Sequence, residues 1–350
     1  MYKQHTVAVV ITAYNERNFV GDVVDTVPGF VDRVYVIDDH STDGSWAEIQ
    51  QAAAATNERT DETGDDSERV VTIRHDRNRG VGAAIKTGYR RARADRMDVT
   101  AVMNGDGQMN PDILHRIVDP VVEGRADYAK GNRLLSRDHV RSMSVWRRFG
   151  NGVLTLLTKF ASGYWKTMDP QNGYTAVSLD ALDALDVDGL YDDYGFLNDV
   201  LITLNAHAMR VADVEMEAHY GDEESTIAYS RFIPNVSMLL LQGFLWRLKV
   251  RYLVYDFHPL VALYGIGVVG LGGLAARVGV AALGGVSAPS ALAMLAVLLV
   301  SAFALTLGTT FDLANNEHLE HAEFAEEAGD RVERSPRGSA TRSQLNAETD

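Results

Sequence analysis

The stretch DVTAVMNGDGQMNPD, residues 98 to 112, changes character halfway along. Val99 to Met103 is an apolar run that reads as a buried strand, and Asn104 to Asp112 is rich in the Asn, Asp, Gly and Pro that turns favour. A chain that grips a metal-bound diphosphate needs oxygen donors on alternate residues at such a strand end. Here Asn104 takes the first of those positions and Asp106 carries the charge. An ordinary turn has the same composition, so the decision rests on what else the chain delivers to that edge.

Upstream, Val7 to Ala13 is an apolar, β-branched run, Phe19 to Val27 has helical spacing, and Val34 to Ile37 is a second apolar strand. Strand, helix, strand is the opening of a parallel α/β sheet. Ala52 to Glu68 is small, polar and acidic, and is expected to be a solvated connecting loop. Val70 to Ile73 supplies a third strand, and NRGVGAAIKTGYRRA, residues 78 to 92, reads as a glycine-rich turn opening a helix. Open α/β sheets bind ligands at the carboxyl ends of their strands. Four such ends carry polar signals: Tyr14-Asn15-Glu16, Asp38-Asp39, Asp76 to Asn78 and Asn104 to Gln108. Each alone is explained by turn chemistry, whereas all four at one edge point to a site.

The C-terminal third is of another kind. No residue from Pro259 to Ala276 or from Val278 to Phe311 is charged, which predicts two transmembrane helices near His258 to Ala276 and Ala288 to Phe311. Before them, residues 232 to 255 mix Leu, Phe and Trp with Arg247, Lys249 and Arg251, the pattern of an amphipathic helix in the membrane interface with its cations toward the cytoplasmic leaflet. The organisation expected is therefore an α/β domain over residues 1–230, interfacial helices over 231–256, the membrane hairpin over 257–312 and an acidic cytoplasmic tail over 313–350, disordered at its end.

The chain has 350 residues, no cysteine and a formal net charge of −15. Disulfides and thiolate metal sites are excluded, and a nonspecific nucleic-acid binder is disfavoured. Lysine is scarce beside arginine, and an acidic, Lys-poor surface suits concentrated salt, which points to a halophilic archaeal cytoplasm. Met1 to Thr6 runs directly into the strand that begins at Val7, so no signal segment is expected.

Taken together, ITAYNE (11–16), VIDDHSTDGS (36–45), NRGVGAAIKTG (78–88), NGDGQMNPD (104–112), GNRL (131–134) and DPQNGYTA (169–176) resemble family 2 glycosyltransferases of the GT-A fold. Within that family they look most like the dolichyl-phosphate mannosyltransferase and glucosyltransferase group. The resemblance covers roughly residues 7 to 230 and implies a Rossmann-like, mostly parallel α/β domain. It implies that Tyr14, Glu16, Asp38 and Asp39 hold the base and ribose of a nucleotide-sugar donor, and that Asn104, Asp106 and Gln108 bind Mg²⁺ or Mn²⁺. The family's carboxylate motif has Asp where this chain has Asn104, so the metal site is expected in a variant form. Arg133 and the pair Arg147 and Arg148 match basic positions near the phosphates. Gln171 and Asn172 match the acceptor-side loop, and His219 stands where the family commonly has Arg. Asp199 is the nearest match to a general base.

The acceptor implied is a polyprenyl (dolichyl) phosphate in the membrane, with catalysis on the cytoplasmic face of a multi-pass protein. A sugar hydroxyl on a lipid-linked glycan is the alternative acceptor, and it would need Asp199 as base. A membrane-anchored binding protein without catalysis, with Asn104 as the lesion, is the reading from another class.

Overall fold

The computed structural model describes residues 1–61, 68–135, 145–216, 229–285, 287 and 289–323. The first half alternates strictly: β1 (Val7–Ala13), α1 (Val20–Thr26), β2 (Arg33–Asp38), α2 (Ser45–Asp61), β3 (Val70–Arg74), α3 (Val81–Ala94) and β4 (Val99–Asn104). Every residue of β1 is buried. Helices cover both faces of the sheet, which is why the strand is a continuous apolar run with no alternation. One layer packs Val7, Val9 and Ile11 against Val20, Val24 and Ile49. The other packs Ala8 and Val10 against Ala84, Ile85 and Tyr89. Gly88 permits the second contact, because a Cβ there would lie 2.3 Å from Val10 Cγ1.

The sheet continues through α4 (Leu114–Val122), β5 (Tyr128–Asn132), α5 (Val145–Ser162), β6 (Thr175–Ser178), α6 (Leu179–Ala184), α7 (Phe196–Ala206) and β7 (Val211–Glu215). With a last strand β8 (Glu320–Glu323), eight strands among the described residues lie in the order β3-β2-β1-β4-β6-β5-β7-β8. β6 runs antiparallel to both its neighbours, and the other pairings are parallel. β1 sits between β2 and β4 with Thr12 level with Ile37 on one side and Asn104 on the other. The chain moves outward to β2 and β3, then crosses back to β4, so the carboxyl ends of β1 and β4 bound the switch-point crevice.

α8 (Tyr229–Lys249) runs into a π-helical turn, Val250–Tyr255, and then into α9 (Leu260–Ala282) and α10 (Ala291–Asn316). α9 and α10 are each long and apolar enough to cross a membrane. They pack closely at Gly267 and Gly270, where a Cβ would lie 2.3 Å from Leu305 Cγ and 2.2 Å from Ser301 Oγ. α5 was not singled out in the sequence, yet its Val153, Leu156, Leu157 and Phe160 are exposed at helical spacing, as are Ile233, Met238, Leu241 and Leu245 of α8. Both helices thus present an apolar face to the outside.

Three expectations change. The loop expected from Ala52 is helical as far as Asp61, because Ala52, Ala53 and Thr56 are buried. Residues 62–67 lie outside the described residues.

Arg247, expected to face the leaflet, is fully buried and forms a bidentate pair with Asp312 at 2.9 and 2.8 Å. Its remaining donors reach the carbonyls of Ala161 at 2.9 Å and Phe160 at 3.2 Å and the Asn205 side-chain oxygen at 3.3 Å. Tyr252, donating at 2.8 Å, and Asn316, at 3.0 Å, complete the shell around Asp312. A guanidinium leaves water only when its charge and all its donors are answered, and Asp312 answers the charge.

The segment after Asp312, expected to be a tail, first completes α10 and then forms β8 (Glu320–Glu323), which pairs parallel with β7. Glu320 is buried and accepts the N–H groups of Trp165, Lys166 and Thr167 at 2.7, 2.7 and 3.1 Å. Those three amides follow α5 and would otherwise lack partners, so the acid is what fixes β8 there. The sheet therefore contains residues from beyond α9 and α10, and the 1–230 boundary does not enclose it.

Candidate active site

At the switch point lies a cleft of about 400 Å³. Its walls come from four strand ends: Thr12, Ala13, Tyr14 and Glu16 after β1, Asp39 after β2, Asn78, Gly80, Val81 and Ala84 after β3, and Asn104 and Asp106 after β4. Asp193 and Tyr194, just before α7, close it. The structure brings together Tyr14, Glu16, Asp39, Asn104 and Asp106 as the sequence pattern suggested. A larger hollow of about 530 Å³, lined by Arg33, Arg59 and Arg69, lies at the amino end of β2 and holds none of the motif residues. Chemistry identifies the cleft, and size does not.

The two adjacent acids after β2 have different surroundings. Asp38 is wholly buried, paired with Arg74 at 3.0 Å and near the Ser41 amide at 3.3 Å, and it does not line the cleft. Asp39 does line it. Its Oδ1 accepts from Arg79 N at 2.9 Å and meets His75 Nδ1 at 2.7 Å, while Oδ2 accepts from Gly80 N at 2.8 Å. Asp39 thereby shapes the glycine-rich turn, and Gly80 can follow because its φ is +93°. The first turn of α3 is committed inside the protein: Ala83 N donates to Asp192 O at 3.0 Å.

Asp106 sits in the turn that follows β4. Its Oδ1 accepts from Gln108 N at 3.0 Å. Burial pushes its carboxyl above the usual carboxylate range, against the pull of the Gln108 amide and the Asn104 side chain. Among the described residues no three His, Asp or Glu side chains converge as a metal cage. The Asp106 carboxylate and the neighbouring amide oxygen of Asn104 line the cleft, whereas Gln108 does not; the two are hard donors that suit Mg²⁺ or Mn²⁺ when diphosphate oxygens supply the other ligands. A half-buried carboxylate that faces the cleft fits that group.

The loop from Asp169 abuts this turn. A Cβ at Gly173 would lie 3.5 Å from both Asn104 Oδ1 and Met109 Cε, and Tyr174 OH donates to Asn110 O at 3.0 Å. Within the loop, Gln171 donates to Asn198 at 2.6 Å, and Asn172 accepts from Tyr174 N at 3.0 Å. Arg133 forms a fork with Asp169 at 2.7 and 2.9 Å. Burial alone would raise the Asp169 carboxyl, but the Arg133 guanidinium outweighs it and holds the group below its ordinary value. Arg133 thus braces the loop and does not line the cleft.

Asp199 also lies elsewhere. It accepts from Tyr191 N at 2.9 Å and lines a separate hollow of about 370 Å³ against Leu239, Gly243 and Trp246 of α8. Burial raises its carboxyl. Arg147 and Arg148 fall in α5 with side chains outside the described residues, and His219 lies wholly outside them. From the acidic stretch Asp192 to Asp199 the sequence reading chose Asp199, whereas Asp193 is the one that lines the cleft, and it missed Lys86, buried behind the cleft. Lys86 lies inside the quoted NRGVGAAIKTG motif, and an isolated Lys among small residues was the available signal.

Residues 8–186 match Glycosyl transferase family 2. A UDP-N-acetylglucosamine--dolichyl-phosphate N-acetylglucosaminyltransferase of Methanococcus voltae is 25% identical over 215 residues, 61% of this chain and 85% of that one. A polyprenol monophosphomannose synthase of Mycolicibacterium smegmatis is 28% identical over 224 residues, 62% and 77% of the two chains. Among solved structures, glucosyl-3-phosphoglycerate synthase from Mycobacterium tuberculosis in complex with UDP aligns with a TM-score of 0.48 and 18% identity, over 70% of this chain and 80% of that one. With its switch-point cleft, its mixed sheet and the family match across half its length, this chain is a GT-A protein and belongs to glycosyltransferase family 2.

Proposed function

We propose that the protein is a membrane-bound, inverting hexosyltransferase that moves a sugar from a nucleotide sugar to dolichyl phosphate on the cytoplasmic face, in the assembly of surface glycans. The observation that carries this reading is the construction of the membrane hairpin into the catalytic sheet. β8 pairs with β7 directly after the second apolar helix, and Arg247 is bonded to Asp312 near the end of that helix. A cleft for a soluble donor is thereby fixed to a lipid-facing element, the arrangement that a lipid acceptor requires. Both relatives described above are named for transfer to a polyprenyl phosphate, which supports the same class of acceptor.

In the reaction an acceptor oxygen attacks the anomeric carbon as the bond to the diphosphate breaks, and the leaving nucleoside diphosphate takes the bonding pair. A bound divalent cation would neutralise the charge growing on the diphosphate. Asp106, with Asn104, would hold it. Tyr14, Glu16 and Asp39 would hold the nucleoside, because ionised carboxylates accept well from ribose hydroxyls and base N–H groups. A phosphate acceptor is already anionic near neutrality and needs no base. The position of Asp199, away from the donor cleft and bonded to Tyr191 N, favours such an acceptor. Asn can still accept that bond, so Asp199→Asn should leave turnover within about threefold of wild type, whereas loss of a general base would cost roughly 10²-fold or more.

The direct test is to incubate membranes carrying the protein with labelled UDP-N-acetylglucosamine, UDP-glucose and GDP-mannose, with Mn²⁺ and dolichyl phosphate. Label should enter the organic phase as a product that mild acid releases. Label that enters only an acid-stable glycan would redirect the reading to a hydroxyl acceptor, and no lipid label from any donor would overturn it.

A further inference from the structure

Lys86 is 4% exposed, in the middle of α3. A buried ammonium is costly unless every proton is answered, and its three are. It donates to Asp188 O at 2.9 Å, Leu190 O at 2.6 Å and Asp192 Oδ1 at 2.8 Å. Two of those acceptors are backbone carbonyls, so the bonds fix the path of the chain between α6 and α7. One turn earlier on α3, Ala83 N holds Asp192 O at 3.0 Å. Gly80 and Gly82 make room for this approach, since a Cβ would lie 2.6 Å from Asp192 O and 2.5 Å from Tyr191 O, respectively. The glycines of the NRGVG turn thus serve a protein segment as well as the cleft. The next two residues, Asp193 and Tyr194, line the cleft with Asn104 and Asp106.

Four carboxylates border the cleft: Glu16, Asp39, Asp106 and Asp193. Asp39 is engaged by Arg79 N and Gly80 N, and Asp106 lies at the position for the cation. An anion at Asp193 would repel a diphosphate, whereas it accepts well from hydroxyl groups.

We propose that residues 188–194 form a strap walling the sugar side of the cleft, that Asp193 recognises hydroxyl groups of the transferred hexose, and that Lys86 is the positioning residue that holds the strap. This rests on the nucleotide-sugar reading of the cleft. The strap is anchored from behind by Lys86 and from the side by the first turn of α3, so its two cleft residues are presented on a fixed backbone. Sugar selectivity then resides at Asp193, and nucleotide affinity resides on the β1 and β2 side.

Calorimetry on the full-length protein in detergent with Mn²⁺ separates the two, with UDP as one probe and UDP-N-acetylglucosamine, UDP-glucose and GDP-mannose as the others. For a nucleotide sugar that the wild type binds, Asp193→Ala should weaken binding about tenfold or more while UDP affinity stays within about threefold. Lys86→Met should do the same, and Lys86→Arg should recover part of the loss. Asp193 is exposed, so its variant reads the proposal even if Lys86→Met fails to fold. Equal losses for UDP and nucleotide sugar, or unchanged sugar affinity in Asp193→Ala, would overturn it, as would a fall in kcat with donor affinity intact. If nucleotide sugars bind as expected but no lipid is labelled, the acceptor reading falls and the strap stands. A wild type that binds none of the three donors removes both.

Discussion

Asn104 and Asp106 show how one atom changes the electrostatics of a site. An amide oxygen at Asn104 can ligate a hard cation but adds no charge, so Asp106 alone supplies the anion of this turn. Asp106→Ala is expected to abolish transfer at saturating Mn²⁺, and Asn104→Asp to preserve or raise activity while lowering the Mn²⁺ concentration for half-activation. Near-normal activity in Asp106→Ala would remove the turn from the metal's coordination. Asp169 allows a second prediction. Its carboxyl is held below the ordinary value by Arg133, so the ion pair stabilises the folded state above the unfolded carboxylate range and is lost as pH falls through the depressed folded value. Asp169→Asn should therefore cost about 2 kcal/mol at pH 7, with the gap to wild type closing below about pH 4 in urea titrations. A gap that widens with acid would contradict the sign. At this scale the sequence was readable in type and not in aim. Asp38 and Asp39 are chemically identical neighbours, and only the direction of each side chain at the end of β2 decides which one meets the cleft. Asp193 and Asp199 are separated by a turn and a helix start, where no periodicity assigns a face.

At the scale of elements, parallel strands covered on both faces are apolar runs followed by polar turns, so β1 to β4 were legible with their ends. Helices were less so. The small alanines of α2 resembled a loop because Ala buries little surface, yet Ala52 and Ala53 pack closely where a larger residue would not fit. α8 carried its amphipathic signature openly, but the pattern could not say that Arg247 turns inward, since its partner lies 65 residues away. That partnership gives the element its stability prediction. Arg247→Met leaves Asp312 buried and uncompensated and should cost about 3–5 kcal/mol, whereas Arg247→Met with Asp312→Leu should recover most of it. Thermal unfolding in detergent reads both. A single variant as stable as wild type would mean that the pair is idle.

For the molecule as a whole, the two long apolar helices were evident from the absence of charge, whereas β8 was not, because four residues after a span carry no pattern of their own. β8 joins the sheet, so on the proposed membrane-bound reading, with α9 and α10 both crossing, the chain that leaves at α8 returns to the same side and Ser287 lies on the other. The chain has no cysteine, so single substitutions report cleanly. In intact cells, Ser287→Cys should react with a membrane-impermeant maleimide and Glu317→Cys should not. The reverse pattern would place the catalytic domain outside.

The order of the chain adds a consequence for synthesis. Strands β1 to β7 leave the ribosome before either apolar helix, and β8 leaves after both. Until then β7 has an unpaired edge, the amides after α5 lack the Glu320 carboxylate, and Arg247 has no counter-ion. A nascent chain that has not yet threaded its hairpin therefore carries an open sheet edge and an unanswered charge, both features that proteases and chaperones recognise. On the proposed membrane-bound reading, insertion of the two apolar helices is thus a folding step of the sheet, and the last strand acts as its proof of delivery.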